Sequence, residues 1–194
     1  MTSFGCRHAP LAITPDVERV LVAAYGEPHR AYHTAAHIAD VLRWYDAVAD
    51  DIGWDDPVAV YLAVLFHDVI YDPLGKDNEA RSAVLARELA GAGPRTCELI
   101  ELTAKHGSID SADHDAALFL DSDTAILGAS PDAFDAYDAA IAVEYKAVPE
   151  AAYRAGRRAF LEKMSTKPRI FLTDYFHDRL DAPARSNLSR AIAR

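Results

Sequence analysis

Cysteine is scarce in this chain, and the two present, Cys6 and Cys97, form no CxxC pair. That excludes a disulfide framework and a cysteine-based zinc knuckle, and it makes a reducing compartment, the cytoplasm, the expectation. Long hydrophobic runs are missing too. The longest, Val58–Phe66, is nine residues, less than half of the roughly 20 that a bilayer crossing needs, so no membrane partner is expected. The sequence does not open with a charged stretch followed by an apolar run, so no signal peptide is expected. Positive charge is short as well: 20 Lys and Arg stand against 30 Asp and Glu, a formal net charge of −10. Such a balance suits a solvated acidic surface and lacks the basic footprint of extended nucleic-acid binding. A phosphorylated ligand would then have to be attracted locally, by a metal or by a few arginines. Strand alternation, internal repeats, low-complexity runs and long linkers are also missing.

What the chain does have is helix signal. Half of it is hydrophobic, alanine is abundant, and 194 residues suit one compact domain. Thr14-Pro15 reads as a helix start and Gly26 as its stop. From Thr34 to about Asp50, Ile38, Val41, Leu42, Tyr45 and Val48 recur at three- and four-residue steps, one helical face. Asp56-Pro57 starts a helix that Val58–Phe66 makes apolar on nearly all sides, which places it in the middle of a bundle. Tyr71–Gly75 reads as a loop, Asp77 caps a helix through about Ala90, and Gly91–Pro94 breaks it. Further helices are expected over Glu98–His106, Ala116–Leu120, from Pro131 to about Tyr145, from Pro149 to about Met164, and after Pro183. The predicted fold is all-α, a single domain over residues 1–194 with its core at about 14–165 and C-terminal helices to 194.

The chemistry-bearing residues are His33, His37 and the adjacent pair His67-Asp68. If His33 and His37 are both helical, they lie on one face, one turn apart. His67-Asp68 ends the most apolar helix in the chain, where unpaired ions cost several kcal/mol each. A metal would offset that cost, and an imidazole with a carboxylate suits a borderline divalent ion. An isolated His-Asp dipeptide also arises by chance, as at His177-Asp178. The context of His67-Asp68 is different: it follows a histidine on an amphipathic helix by thirty residues and precedes an aspartate-bearing helix end at Leu120–Asp123.

Several segments, in order, resemble the metal-dependent phosphohydrolases of the HD superfamily. They are Tyr32–Ile38, Phe66–Tyr71, Asn78–Ala83, Asp121–Gly128, Glu144–Pro149 and Ala184–Leu188, which together reach from about residue 30 to 190. The resemblance implies an HD-domain helical bundle with one divalent metal ion held by a histidine, the His67-Asp68 pair and a distant aspartate. Similarity to the Tyr-His-x-x-x-His pattern of cyclic-nucleotide phosphodiesterases implies His37 as the first ligand and His33 as a general acid or phosphate contact. Asp123 is the expected last ligand, with Asp121 as its alternative; two residues apart on a helix, only one of them faces the metal. Mixed nitrogen and oxygen ligation suits manganese, iron, cobalt, nickel or zinc, and magnesium less well.

Supporting residues carry two readings each. Glu79 either orients or deprotonates the attacking water, or is a carboxylate favoured at a helix N-terminus. His106 is either a substrate or second-metal contact, or a histidine favoured at a helix C-terminus. Arg30 and Lys105 are candidate phosphate contacts or surface charges. His8, His29, His114 and His177 are expected at the surface. The expected activity is hydrolysis of a small phosphoester, a nucleotide or another phosphorylated metabolite. The rivals are a di-iron oxygenase that recruits His106 and His114, and a non-catalytic nucleotide or metal sensor.

Overall fold

The computed structural model describes residues 4–110 and 112–194. Those residues form nine α-helices and no strand, an all-α bundle. The helices are α1 (Pro15–Tyr25), α2 (Ala35–Asp51), α3 (Pro57–Phe66), α4 (Asn78–Ala90), α5 (Pro94–Thr103), α6 (His114–Thr124), α7 (Pro131–Glu144), α8 (Glu150–Thr166) and α9 (Asp174–Ile192), with a 3-10 turn at Ala125–Gly128. None of them is long and apolar enough to cross a membrane.

The caps are written locally. Thr14 accepts from the Val17 amide, Thr34 from Ala36, Asp56 from Ala59, Asp113 from Ala116 and Ser130 from Ala133. Each satisfies one amide that the first turn leaves without an intrahelical partner. Proline follows the cap in α1, α3, α5 and α7, where its missing N–H costs nothing.

Two apolar clusters form the core. One gathers α1 to α5 around α3, whose residues from Ala59 to Phe66 are all buried. The other gathers the 3-10 turn, α7, α8 and α9 around Phe134, Phe171 and Phe176. Helices α2 and α6 contribute to both: Ile38 and Phe119 belong to the first, Val48 and Leu118 to the second. The 3-10 turn lies so close to α9 that a Cβ on Gly128 would sit 2.6 Å from the Leu180 Cβ, so only glycine fits there.

Three expectations are corrected. Helix α5 ends at Thr103, and His106 sits in the turn that follows. His33 precedes α2, because Thr34 takes the extended cap conformation at φ −113°, ψ 178°; His33 and His37 are therefore not on one helical face. The last helix begins at Asp174, with Pro183 inside it. Proline in a helix interior loses a hydrogen bond and crowds the preceding turn. Here Thr173 caps the start, and Tyr175, Phe176, Ala184 and Leu188 bury against the second core on both sides of the proline.

Candidate metal centre

The site forms at the seam between the two cores, where α2, the end of α3 and the end of α6 meet. Helix α3 stops at Phe66, and His67 turns its ring back so that Nδ1 lies 3.0 Å from the Val64 carbonyl. A carbonyl only accepts, so Nδ1 carries a proton and Nε2 is the ring atom turned to the cluster. That Nε2 faces the Nε2 of His37 at 3.2 Å, Oδ2 of Asp68 at 3.1 Å and Oδ1 of Asp123 at 3.3 Å. His37 Nε2 in turn lies 3.5 Å from Asp68 Oδ2 and 3.0 Å from Asp123 Oδ1. Both histidines are buried.

Four potential ligand atoms thus lie 3.0–3.5 Å apart in these five pairs. A divalent ion ligated at about 2.1 Å sets neighbouring donors about 3.0 Å apart in an octahedron and about 3.4 Å apart in a tetrahedron. His37, His67 and Asp123 meet the spacing of a three-ligand metal group, and Asp68 touches both histidines. The electrostatics agree. Burial pushes the His37 imidazolium down, yet Asp123 and Asp68 outweigh it and raise its pKa to about 9. Burial opposes the charge on Asp68 and Asp123, but the facing histidines hold both carboxyls well below the usual range. The cluster draws in positive charge, which is what a cation site requires.

Asp121 plays no part in this cluster. Its carboxylate accepts from the amides of Leu172 and Thr173 at 2.7 and 2.8 Å and from the Thr173 hydroxyl at 2.7 Å. Burial raises its pKa to about 6. Because α6 runs through Thr124, the two aspartates point to different faces, and Asp123 is the one brought to the histidines.

Around the cluster, His106 donates from Nε2 to the other oxygen of Asp123 at 2.7 Å. His33 sits beside His37, ring centroids 5.9 Å apart, and lies 4.3 Å from the Tyr71 ring. Its Nδ1 is 2.7 Å from Glu144 Oε2, which leaves Nε2 free to act. Glu144, the last residue of α7, is a functional residue that the sequence pattern alone does not single out. Its Oε1 accepts the amides of Ala31, Tyr32 and His33 at 2.7, 2.8 and 2.9 Å, and its Oε2 also accepts from the Tyr71 hydroxyl at 2.8 Å. A buried carboxylate on the last residue of a helix opposes the macrodipole; that conflict was the signal available in the sequence.

Glu79 and His106 line a cavity of about 720 Å³ that also reaches His33, Asp68 and Asp123. Arg30 is corrected: its side chain is fully buried and donates to the carbonyls of His33, Asp68 and Val69 at 3.0, 2.7 and 3.0 Å, so it clamps backbone and does not face the cavity. Lys105 is exposed and outside the cavity lining. His8 and His114 are exposed as expected, whereas His29 and His177 are partly covered. A second acidic group joins Asp55, His114 and Asp115. There the Asp115 carboxylate already accepts the amides of Asp55 and Asp56 at 2.8 and 2.7 Å, a loop-holding role.

No family model, curated protein or solved structure matches this chain.

Proposed function

We propose that the chain is a metal-dependent phosphohydrolase of the HD type, with one divalent metal ion held by His37, His67, Asp68 and Asp123. The observation that carries the reading is the donor spacing at three helix ends: His37, His67 and Asp123 lie 3.0–3.3 Å from one another, and Asp68 lies 3.1 and 3.5 Å from the two histidines. Its setting supports the same reading, since the cluster borders a cavity large enough for a small phosphoester.

A divalent cation bound there would supply a Lewis acid for a phosphoryl oxygen and bring the pKa of a coordinated water toward neutrality. The chain's own residues do the rest. His67 is fixed in the metal-binding tautomer by the Val64 carbonyl. His106 anchors the outer oxygen of Asp123, so that its inner oxygen stays turned to the histidines. His33 is oriented through Nδ1 by Glu144, and its Nε2 delivers a proton to the leaving oxygen. Glu79, on the cavity wall, orients the attacking water. One metal is favoured over a di-iron oxygenase centre because the extra histidines are engaged: His106 on Asp123 and His114 on the Gly53 carbonyl at 3.1 Å. Manganese, iron, cobalt, nickel or zinc fit the ligand set, and the cytoplasm fits the two free thiols.

The test is phosphate release from a panel of small phosphoesters, with and without added manganese and with chelator. Hydrolysis that needs metal, and that disappears in His67→Ala and Asp68→Ala while the helical spectrum stays, is the expected result. Undiminished activity in both variants would remove the site from the chemistry.

A further inference from the structure

We propose that the cavity takes a phosphomonoester whose remaining part is a planar aromatic group, the chemistry of a nucleoside monophosphate, and that it discriminates against sugar phosphates. The phosphoryl end rests on the hydrolase reading above. The aromatic end stands on its own observations.

Part of the cavity wall is one face of α8: Tyr153, Gly156, Arg157 and Phe160, at steps of three and four. Tyr153, Arg157 and Phe160 are only partly buried. Tyr145 extends the wall, its ring 5.9 Å from that of Tyr153 at an interplanar angle of 32°. The Arg157 guanidinium lies within this surface, 4.9 Å from the Tyr137 ring centre and 5.2 Å from the Phe160 ring centre. Its charge is already answered: Nε donates to Asp138 at 2.8 Å and Nη1 to the Tyr137 hydroxyl at 3.1 Å. Nη2 lies 2.8 Å from the same Asp138 oxygen, close enough for ion pairing but without hydrogen-bond geometry. Arg157 therefore continues a stacking platform and is not a free phosphate anchor.

Gly156 is the second, independent observation. It sits inside α8, where glycine is the poorest helix former after proline. A Cβ there would meet nothing within 4 Å, and its φ is not positive, so neither packing nor backbone conformation calls for glycine. What its missing side chain does is leave space on the cavity wall between Tyr153 and Phe160. A flat ring laid against the helix uses that space.

The test uses the full chain, stripped of metal, and ligand-observed NMR titration with adenosine 5′-monophosphate and ribose 5-phosphate. The monophosphate of adenosine is expected to bind about tenfold tighter than ribose 5-phosphate, a stacking-sized difference. Gly156→Leu, which fills the space, and Phe160→Ala, which removes the platform, are each expected to erase that preference while the helical spectrum is kept. Equal binding of the two esters, or a preference untouched by either substitution, would overturn the proposal. Phosphate release with manganese on the same preparations separates the two readings. A preserved aromatic preference without hydrolysis of any ester sinks the hydrolase and leaves the aromatic site standing. Hydrolysis with equal kcat/KM on the two esters does the reverse.

Discussion

Replacing Glu144 by glutamine tests how the segment Ala31–His33 is held. The carboxylate is buried, and its two oxygens accept five hydrogen bonds: three from the amides of Ala31, Tyr32 and His33, one from His33 Nδ1 and one from the Tyr71 hydroxyl. Burial raises its pKa, but the His33 bond and charge and the backbone amides outweigh burial and bring it from 4.5 down to about 2. At about 1.4 kcal/mol per unit, that depression contributes at most about 3 kcal/mol to folding at neutral pH. Because the folded value lies below the unfolded one, the contribution is complete above pH 4.5 and fades as pH falls toward about 2. A glutamine keeps one acceptor oxygen but turns an NH2 toward donors, so Glu144→Gln is expected to lose about 2–3 kcal/mol. Urea unfolding at pH 7, 4 and 3 reads this out. The wild type should lose its advantage over the variant as the pH drops. A variant with the wild-type midpoint at pH 7, or with the same fall between pH 4 and 3, would refute the reasoning.

Three further outcomes follow from the same hydrogen-bond geometry. Asp121→Asn should weaken the junction between α6 and the start of α9 by about 1–3 kcal/mol, seen as a lower urea midpoint, without changing metal stoichiometry, because Asp121 serves Leu172 and Thr173. Arg30→Lys should destabilise by about 2–4 kcal/mol, since an ammonium cannot span the His33, Asp68 and Val69 carbonyls; a variant that folds as well as wild type but has a raised KM would restore Arg30 to the substrate. Thr34→Ala should cost about 1 kcal/mol through loss of the Ala36 cap bond, read by thermal unfolding.

Helix positions were legible in the sequence because their causes are local. The Thr14 and Asp56 caps act within three residues of themselves, and the burial of α3 follows from its uniform apolarity. The choice between Asp121 and Asp123 was legible in part, since helical period separates them, but which one faces inward depends on where α9 packs. Long-range partners were not legible. Glu144 meets residues more than a hundred positions away, and its unfavourable place at a helix end does not say which ones. Arg30 was misread for the same reason: a basic residue near a histidine pair resembles a phosphate contact until the carbonyls of Asp68 and Val69 close around it. Pro183 was misread because local propensity was overridden by burial on both sides of it.

The central claim is that His37, His67, Asp68 and Asp123 hold one divalent ion, and calorimetric titration of chelator-stripped protein with manganese tests it most directly. One site per chain is expected in the wild type, accompanied by a rise in Tm, and no site in His37→Ala or Asp123→Asn of unchanged helical content. Failure of the wild type to bind, or binding of equal strength in both variants, would contradict it.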